Sequence, residues 1–223
     1  MRLVVLFTTV LLTSAPAFAQ SLLTNPGFSY GLTGWLVAPP PAGPVSWNPA
    51  DADGDPVSGS ALLDDTAPCT LVPPASWLCD HPRLSQCVSV TPGTQYRIGL
   101  SGIVPAGGRL QGTVTVFWDF FDGPACGGTR ITGNGTGLAG SSTWRTVSVG
   151  AFAPPGASSV LLTLRASRNE ENLVGGFVAL VDNVVLEAFV PAQATVPVSS
   201  SSLVLLGLLI ALVGIAASCR PVA

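Results

Sequence analysis

An alternation of side chains over residues 113–121 constrains the fold more than any other feature of the sequence. Every second position there is a large apolar residue, and these positions are Val114, Val116, Trp118 and Phe120. The same period of two recurs over residues 96–101 and 160–165, and no interior stretch keeps a helical period. The chain has 25 glycines and 20 prolines, which suit tight turns between short strands, and we predict two such turns at Pro92-Gly93 and Pro154-Pro155-Gly156. The pattern predicts an all-β domain over residues 20–190, an antiparallel β-sandwich of the jelly-roll type.

The N-terminus has the three parts of a secretory signal peptide. Arg2 gives a positive start, residues 3–12 are apolar but too short to span a bilayer, and residues 17–19 (Ala-Phe-Ala) form a small-x-small cleavage site. We therefore predict a signal peptide over residues 1–19 and export across the inner membrane of a bacterium. A membrane anchor that is retained instead of cleaved is the alternative.

The C-terminus carries a hydrophobic tail. Residues 203–217 are apolar or glycine without a break, and as a helix they span about 22 Å, less than the roughly 30 Å of a hydrocarbon core. If residues 196–202 are included, the segment is long enough to cross the hydrocarbon core of a bilayer. We predict a Ser/Pro linker over residues 191–202, a transmembrane or sorting tail over 203–218, and a short cytoplasmic end over 219–223.

The tail is similar to the C-terminal sorting signals of Gram-negative bacteria, which combine a short motif, an apolar helix and a basic end. Val196-Pro197 matches the proline-containing motif only loosely, and the basic end is reduced to Arg220. The resemblance implies a sorting protease as a partner, with a plain membrane anchor as the alternative.

Composition and motifs argue against several classes of function. The chain contains no lysine and has a net charge of −3, whereas nucleic-acid binding depends on Lys and Arg contacts to phosphates. Residues 135–140 formally match a dinucleotide-binding fingerprint but lack the strand-to-helix context. A Ser-His-Asp arrangement would need the single histidine, His81, which lies in a cysteine-rich loop. We predict a non-catalytic domain that does not bind nucleic acid.

Four cysteines lie in the exported part of the chain, at positions 69, 79, 87 and 126. In an oxidising compartment four thiols can form two disulfides, with three possible pairings. Residues 66–83, which hold the first two of these cysteines, show no clear periodicity and are predicted to form a long, disulfide-pinned loop.

Several short motifs in a fixed order carry a resemblance to a family. They are Asn-Pro-Gly-Phe at 25–28, Ser-Gly-Ser-Ala-Leu at 58–62, Gln-Cys-Val-Ser-Val-Thr-Pro-Gly-Thr-Gln-Tyr at 86–96, Ala125-Cys126, Trp144, Pro-Pro-Gly-Ala at 154–157 and Val-Asp-Asn-Val at 181–184. Over residues 21–189 this order resembles the CenC-type carbohydrate-binding modules and their relatives with a galactose-binding-like jelly roll. The resemblance implies a glycan as ligand and a disulfide between Cys87 and Cys126, which leaves Cys69 to pair with Cys79.

The same resemblance implies a structural calcium ion. In relatives the ion joins a carboxylate after the early Gly-Phe, oxygens near the Ser-Gly, and an aspartate of the final strand. Asp182 and Ser58 match two of these positions, whereas Ser29 stands where the first carboxylate would be, which predicts weak binding. The acidic run at residues 51–55 is a second calcium candidate, but it lacks the bidentate glutamate of such loops and is predicted to be a solvated turn.

A ligand surface follows from the alternation of side chains. If Trp118 points into the core, then Phe117, Asp119 and Phe121 point to the opposite face of their strand. By the same logic two arginines point outward, and these are Arg97 and Arg165. If the strands share one sheet, rings and charged groups converge on a surface that suits a sugar. In the alternative, the phenyl rings lie under a glycine-rich loop that we predict before Trp144, and the charged side chains form exposed ion pairs.

Two functions follow from these observations. The first is an exported, membrane-tethered or surface-sorted binding module for carbohydrate or a cell-surface glycan. The second is a structural protein of the envelope or cell surface, whose sandwich mediates protein contacts without binding a glycan. An open sheet face with accessible rings favours the first, and a face covered by loops favours the second.

Overall fold

The computed structural model describes residues 21–67, 69–72, 76–104, 112–168 and 176–189. The predicted signal peptide, linker and tail, together with Cys219, lie outside these ranges. Within them no helix is long and apolar enough to cross a membrane. The regular structure of the described residues is β-strand, apart from a single turn of 3-10 helix at Pro124–Cys126.

Two five-stranded antiparallel sheets pack face to face. In chain order the strands are β1 (Leu36–Val37), β2 (Val45–Asn48), β3 (Ser60–Asp65), β4 (Thr70–Val72), β5 (Ser76–Leu78), β6 (Arg83–Ser89), β7 (Gln95–Val104), β8 (Gly112–Phe121), β9 (Arg130–Ala139), β10 (Ser141–Phe152), β11 (Ser159–Arg168) and β12 (Phe177–Ala188). Sheet A has the order β1-β6-β11-β8-β9 and sheet B has the order β10-β7-β12-β3-β2. The predicted antiparallel β-sandwich is confirmed for the described residues.

The chain changes sheet repeatedly, as a jelly roll requires. It passes from β6 in sheet A to β7 in sheet B and back to β8, and from β9 it continues through β10, β11 and β12 in alternate sheets. The predicted Pro-Gly turns make two of these crossings, and Gly93 and Gly156 both adopt a positive φ, of 74° and 84°. Glycine adopts this conformation without the steric cost that other residues incur.

The core lies between the inner faces of the two sheets. On β8 the alternation predicted from the sequence is confirmed: Val114 and Val116 are fully buried, and Trp118 is 6% exposed. From sheet B the inner face contributes Ile98 and Leu100, which are also fully buried. Burial of such side chains stabilises a fold by roughly 1.5–3 kcal/mol each.

Both disulfides have the pairing that the resemblance implies. Cys87 on β6 is bonded to Cys126 beside the 3-10 turn, and Cys69 is bonded to Cys79. A disulfide pins the predicted loop over residues 66–83, but this segment is not all loop, because β4 and β5 pair there as a small antiparallel hairpin within the Cys69–Cys79 loop. Three-residue strands are too short to show a periodicity in the sequence.

A buried ion pair closes one end of the sandwich. The side chains of Asp65 and Arg168 are 1% and 3% exposed, and the arginine Nη2 lies 3.1 Å from the carboxylate Oδ1. The backbone N–H of Arg168 donates to the same carboxylate, and His81 Nδ1 lies 3.1 Å from Oδ2. Burial alone would raise the pKa of Asp65, but hydrogen bonds from His81 and Arg168 outweigh it and lower the pKa below its usual value.

Candidate ligand-binding face

The outer face of sheet A carries three of the side chains predicted to contact a ligand. Phe117, Asp119 and Phe121 alternate with the buried residues of β8 and are half-buried on this face. Phe117 lies in register with Thr163 on β11 and with Gly135 on β9. The pleat of β8 thus places these side chains as the sequence predicted.

Strand β9 supports this face with glycines. Gly133, Gly135 and Gly137 occupy the outward positions of β9, opposite Asp119, Phe117 and Thr115 respectively. A Cβ atom added at Gly135 would lie 2.7 Å from Cδ1 of the Phe117 ring, closer than real contacts allow. A Cβ atom at Gly133 would clash with the Asp119 carboxylate. The glycines therefore let both side chains lie flat across the neighbouring strand.

The glycine-rich stretch before Trp144 was wrongly predicted to be a loop. It is strand β9, in which glycine stands at every second position from 133 to 137. Glycine is depleted in strands, so its abundance argued for a loop. The signal that would have found the strand is the period of two in the glycines themselves.

Arg165 lies against Phe117. The central carbon of its guanidinium is 4.5 Å from the centroid of the phenyl ring, and the arginine is half-buried. This is the geometry of a cation–π contact. Because the guanidinium covers one face of the Phe117 ring, the surface offered to solvent is an arginine stacked on a phenyl group.

Arg97 does not join this face, and the prediction that it does was wrong. It lies on β7 in sheet B, where its guanidinium forms an exposed ion pair with Glu187 at 2.7 Å. The outward direction of its side chain was predicted from the alternation of β7 with Ile98 buried beside it. The alternation does not tell which sheet a strand joins, because that depends on long-range pairing.

Some charged side chains of this face form ion pairs, and others have no carboxylate partner among the described residues. Asp119 accepts a hydrogen bond from Nε of Arg130 at 2.6 Å. Arg83 lies beside Arg165 as its partner in register on β6, and neither has a carboxylate within 4.0 Å among the described residues. Burial lowers the pKa of Arg165, and the positive charge of Arg83 lowers it further. The face is therefore net positive on an acidic chain.

The disulfide-bonded turn covers one end of the face. Ser159, the first residue of β11, is fully buried under it and donates to the carbonyl of Gly123 at 2.6 Å. The Ser159 hydroxyl also accepts a hydrogen bond from the N–H of Cys126 at 2.9 Å. At the β1 edge, Leu36 is 72% exposed and lies in register with Ser85. Among the described residues, this turn thus covers the end of the face that holds Phe121, and Phe117 is half-buried farther along β8.

The two residues of the predicted calcium site lie close together. The Ser58 hydroxyl donates to the carbonyl of Gly27 at 2.6 Å, and a Cβ atom added at Gly27 would be 3.7 Å from Oδ1 of Asp182. The pKa of Asp182 is raised to about 6, mainly by burial. Hydrogen bonds from the backbone N–H groups of Ala52 and Asn183 oppose this rise, and the negative charges of Asp51 and Asp53 contribute to it.

The fit of this site to calcium is partial. The ion takes six to eight oxygens. At this site the described residues offer one buried carboxylate, that of Asp182, and both of its oxygens already accept backbone hydrogen bonds. No group of three or more acidic, histidine or cysteine residues among the described residues is arranged to hold a metal. Calcium binding at Asp182 stays a prediction.

The histidine does not assemble a catalytic triad in the described part of the chain. His81 has a carboxylate partner in Asp65, as the orienting acid of a triad requires. No hydroxyl or thiol among the described residues forms a hydrogen bond with the His81 ring. The Asp65 carboxylate is also engaged by Arg168, which fits a structural network at the end of the sandwich.

Comparison with known proteins supports the fold. No protein-family model and no curated protein matches the chain. Among solved structures it is similar to the enzymatically active domain of tailspike protein 4 of bacteriophage CBA120, with 16% identity and a TM-score of 0.55. This match covers 76% of the present chain but 21% of the phage chain, so the sandwich spans about a fifth of that protein.

Carbohydrate-binding modules are among the other similar structures. One is the module TmCBM61 in complex with β-1,4-galactotriose, at 16% identity and a TM-score of 0.47, with 77% of this chain and 100% of that chain covered. Another is the CBM22-1–GH10 region of xylanase 10B from Clostridium thermocellum in complex with xylohexaose, at 10% identity and a TM-score of 0.49, covering 76% and 29%. At these identities the likeness is one of fold.

Proposed function

We propose that this protein is a non-catalytic binding module and that the outer face of sheet A binds carbohydrate. The observation that carries the proposal is the Arg165–Phe117 stack, which lies next to the Asp119–Arg130 pair on an open sheet surface. A sugar ring presents apolar C–H groups and a rim of hydroxyls. The planar stack suits the first, and a carboxylate and guanidinium side by side suit the second, as acceptor and donors.

The experiment that tests this proposal compares two phenylalanines on opposite sheets. The full chain in detergent micelles is screened on a glycan array, and the best ligand is titrated by calorimetry. We expect Phe117→Ala and Asp119→Ala to weaken binding at least about tenfold, the loss of one good contact. Phe152→Ala is the matched control, since Phe152 is 66% exposed on β10 of sheet B.

Three results would discard the face as a glycan site. One is binding that survives both Phe117→Ala and Asp119→Ala, and another is a protein that binds no glycan on the array. An equal loss in Phe152→Ala would likewise move the site away from sheet A.

The alternative function, a structural surface protein, has one observation in its favour. On the outer face of sheet B, Leu62, Leu180 and Ile103 lie side by side across β3, β12 and β7 and are half-buried. A row of apolar side chains on a sheet face fits contact with another protein. Self-association of a protein that binds no glycan, lost when Leu180 is changed to a polar residue, would favour this function.

We further propose that the module is exported and held at a membrane by residues 196–223, either permanently or until a sorting protease acts. The two disulfides support export, since such bonds persist in oxidising compartments. Deleting residues 196–223 is expected to move the protein from the membrane fraction to the soluble fraction after cell lysis. A full-length protein that is soluble and still carries its tail, as measured by mass spectrometry, would refute the anchor.

A further inference from the structure

Arg83 and Arg165 form a pair of like charges on the proposed binding face. They lie opposite each other on β6 and β11, and both side chains point to the outer face of sheet A. Arg83 is exposed and Arg165 is half-buried. Three other arginines of the described residues are paired with carboxylates: Arg97 with Glu187, Arg130 with Asp119, and Arg168 with Asp65.

Arg165 is held in place without an acceptor for its charge. Its Nε is buried and has no hydrogen-bond partner among the described residues. The negative charge of Asp65 raises the pKa of Arg165, but the Asp65 carboxylate is already bound by Arg168 and His81. Taking a cation partly out of water costs free energy unless an anion or an acceptor compensates. Stacking on Phe117 fixes the guanidinium plane, but it supplies no acceptor.

We infer that the glycan bound by this face is anionic, and that a carboxylate or sulfate group of the sugar binds between Arg83 and Arg165. The inference rests on the proposed function. A guanidinium donates two parallel hydrogen bonds to two oxygens of one anion, so two neighbouring arginines form a fork for such a group. The Phe117 ring holds the guanidinium of Arg165 in one orientation before the ligand binds, which lowers the entropy lost on binding.

The same face has the means to bind the rest of the sugar. Asp119 lies two residues along β8 from Phe117 and is in register with Leu161 on β11. Its carboxylate is paired with Arg130 and can accept hydrogen bonds from sugar hydroxyls. A uronate-containing or sulfated polysaccharide supplies both the anionic group and the hydroxyls.

The test uses pairs of polymers that differ in charge alone. The full chain in detergent micelles is run in native gels that contain polygalacturonate or its full methyl ester, and dextran sulfate or dextran. We expect retardation by the charged member of at least one pair and little by its neutral partner. Polygalacturonate and dextran sulfate distinguish a carboxylate from a sulfate ligand.

The variants separate a specific site from general charge. Arg83→Ala and Arg165→Ala are each expected to weaken binding about ten- to a hundredfold, the loss of one charged hydrogen-bonded contact. Arg165→Lys keeps the charge but loses the planar fork, so its loss should be intermediate. Arg145→Ala is the control, because it removes the same charge from an exposed position on β10 of sheet B and should bind normally.

Each outcome decides something. Equal retardation by charged and neutral polymers, or normal binding by both Arg83→Ala and Arg165→Ala, overturns the anionic ligand and leaves carbohydrate binding standing. A loss in Arg145→Ala as large as in Arg83→Ala shows a general charge effect and also overturns the site. If no polymer of either pair retards the protein, the anionic ligand is overturned, and the glycan array decides separately whether the proposed function stands. Arg83 is exposed, so its variant tests the site even if Arg165→Ala fails to fold.

Discussion

Replacing Asp65 with asparagine is expected to destabilise the protein by about 3–5 kcal/mol, the usual cost of breaking a buried ion pair by removing one partner. Asp65 is fully enclosed and binds the backbone N–H, Nε and Nη2 of Arg168 as well as His81. An asparagine keeps one acceptor oxygen and turns an N–H₂ group toward the guanidinium. Arg168 would then be a buried charge without a counterion, and its Nη1 already has no partner among the described residues.

The control for this prediction is Glu187→Gln, which breaks an exposed pair of the same chemistry. Arg97 and Glu187 are 54% and 21% exposed in their side chains, and an exposed ion pair contributes about 0–1 kcal/mol. Urea unfolding of both variants and of the wild type measures the difference. A loss in Asp65→Asn no larger than in Glu187→Gln would show that the enclosed pair contributes little.

The pH dependence of the Asp65→Asn effect has a definite sign. The pKa of Asp65 is lower in the folded protein than in the unfolded chain, where it is about 3.9. The stabilisation by its ionised form is therefore complete above about pH 4 and is lost as the pH falls through the folded-state pKa. We expect the gap in unfolding free energy between wild type and Asp65→Asn to be constant near neutrality and to narrow in acid. A gap that widens below pH 4 would contradict this assignment.

The features predicted well from the sequence are those that depend on local alternation. Over β8 the apolar residues at every second position decide which side chains are buried, so the directions of Phe117 and Asp119 followed from Trp118. The turns at Gly93 and Gly156 followed from the need for a positive φ. Both signals lie within a few residues of the feature that they predict.

Long-range pairing decided the features that the sequence did not predict. Arg97 and Arg165 both point outward, but only the order of strands shows that they lie on different sheets. Arg83 was missed as a neighbour of Arg165, because their register across β6 and β11 joins residues 82 positions apart. The ion pair of Asp65 and Arg168 likewise joins the end of β3 to the end of β11, and a single sequence carries no local trace of it.

Removing the Cys87–Cys126 disulfide by a double change to serine is expected to cost about 4 kcal/mol, and removing Cys69–Cys79 about 3 kcal/mol, on the model in which a crosslink restricts the unfolded chain. The difference arises because the first bond joins residues 39 apart and the second joins residues 10 apart. The longer loop contains β7 and β8, which are central strands of the two sheets. Without the Cys87–Cys126 crosslink, a large part of the chain that forms the core can therefore expand in the unfolded state.

The exposure of Cys87 makes this a clean measurement. Its side chain lies on the outer face of sheet A, so serine there removes few packing contacts and the loss reports mainly the crosslink. A more expanded unfolded state also exposes more surface, so the urea m-value should rise in Cys87→Ser/Cys126→Ser and change less in Cys69→Ser/Cys79→Ser. Equal losses in the two double variants, with unchanged m-values, would mean that loop length does not set the contribution of these bonds. In that case local contacts of the Cys126 turn, such as its hydrogen bond to Ser159, would have to account for the stabilisation.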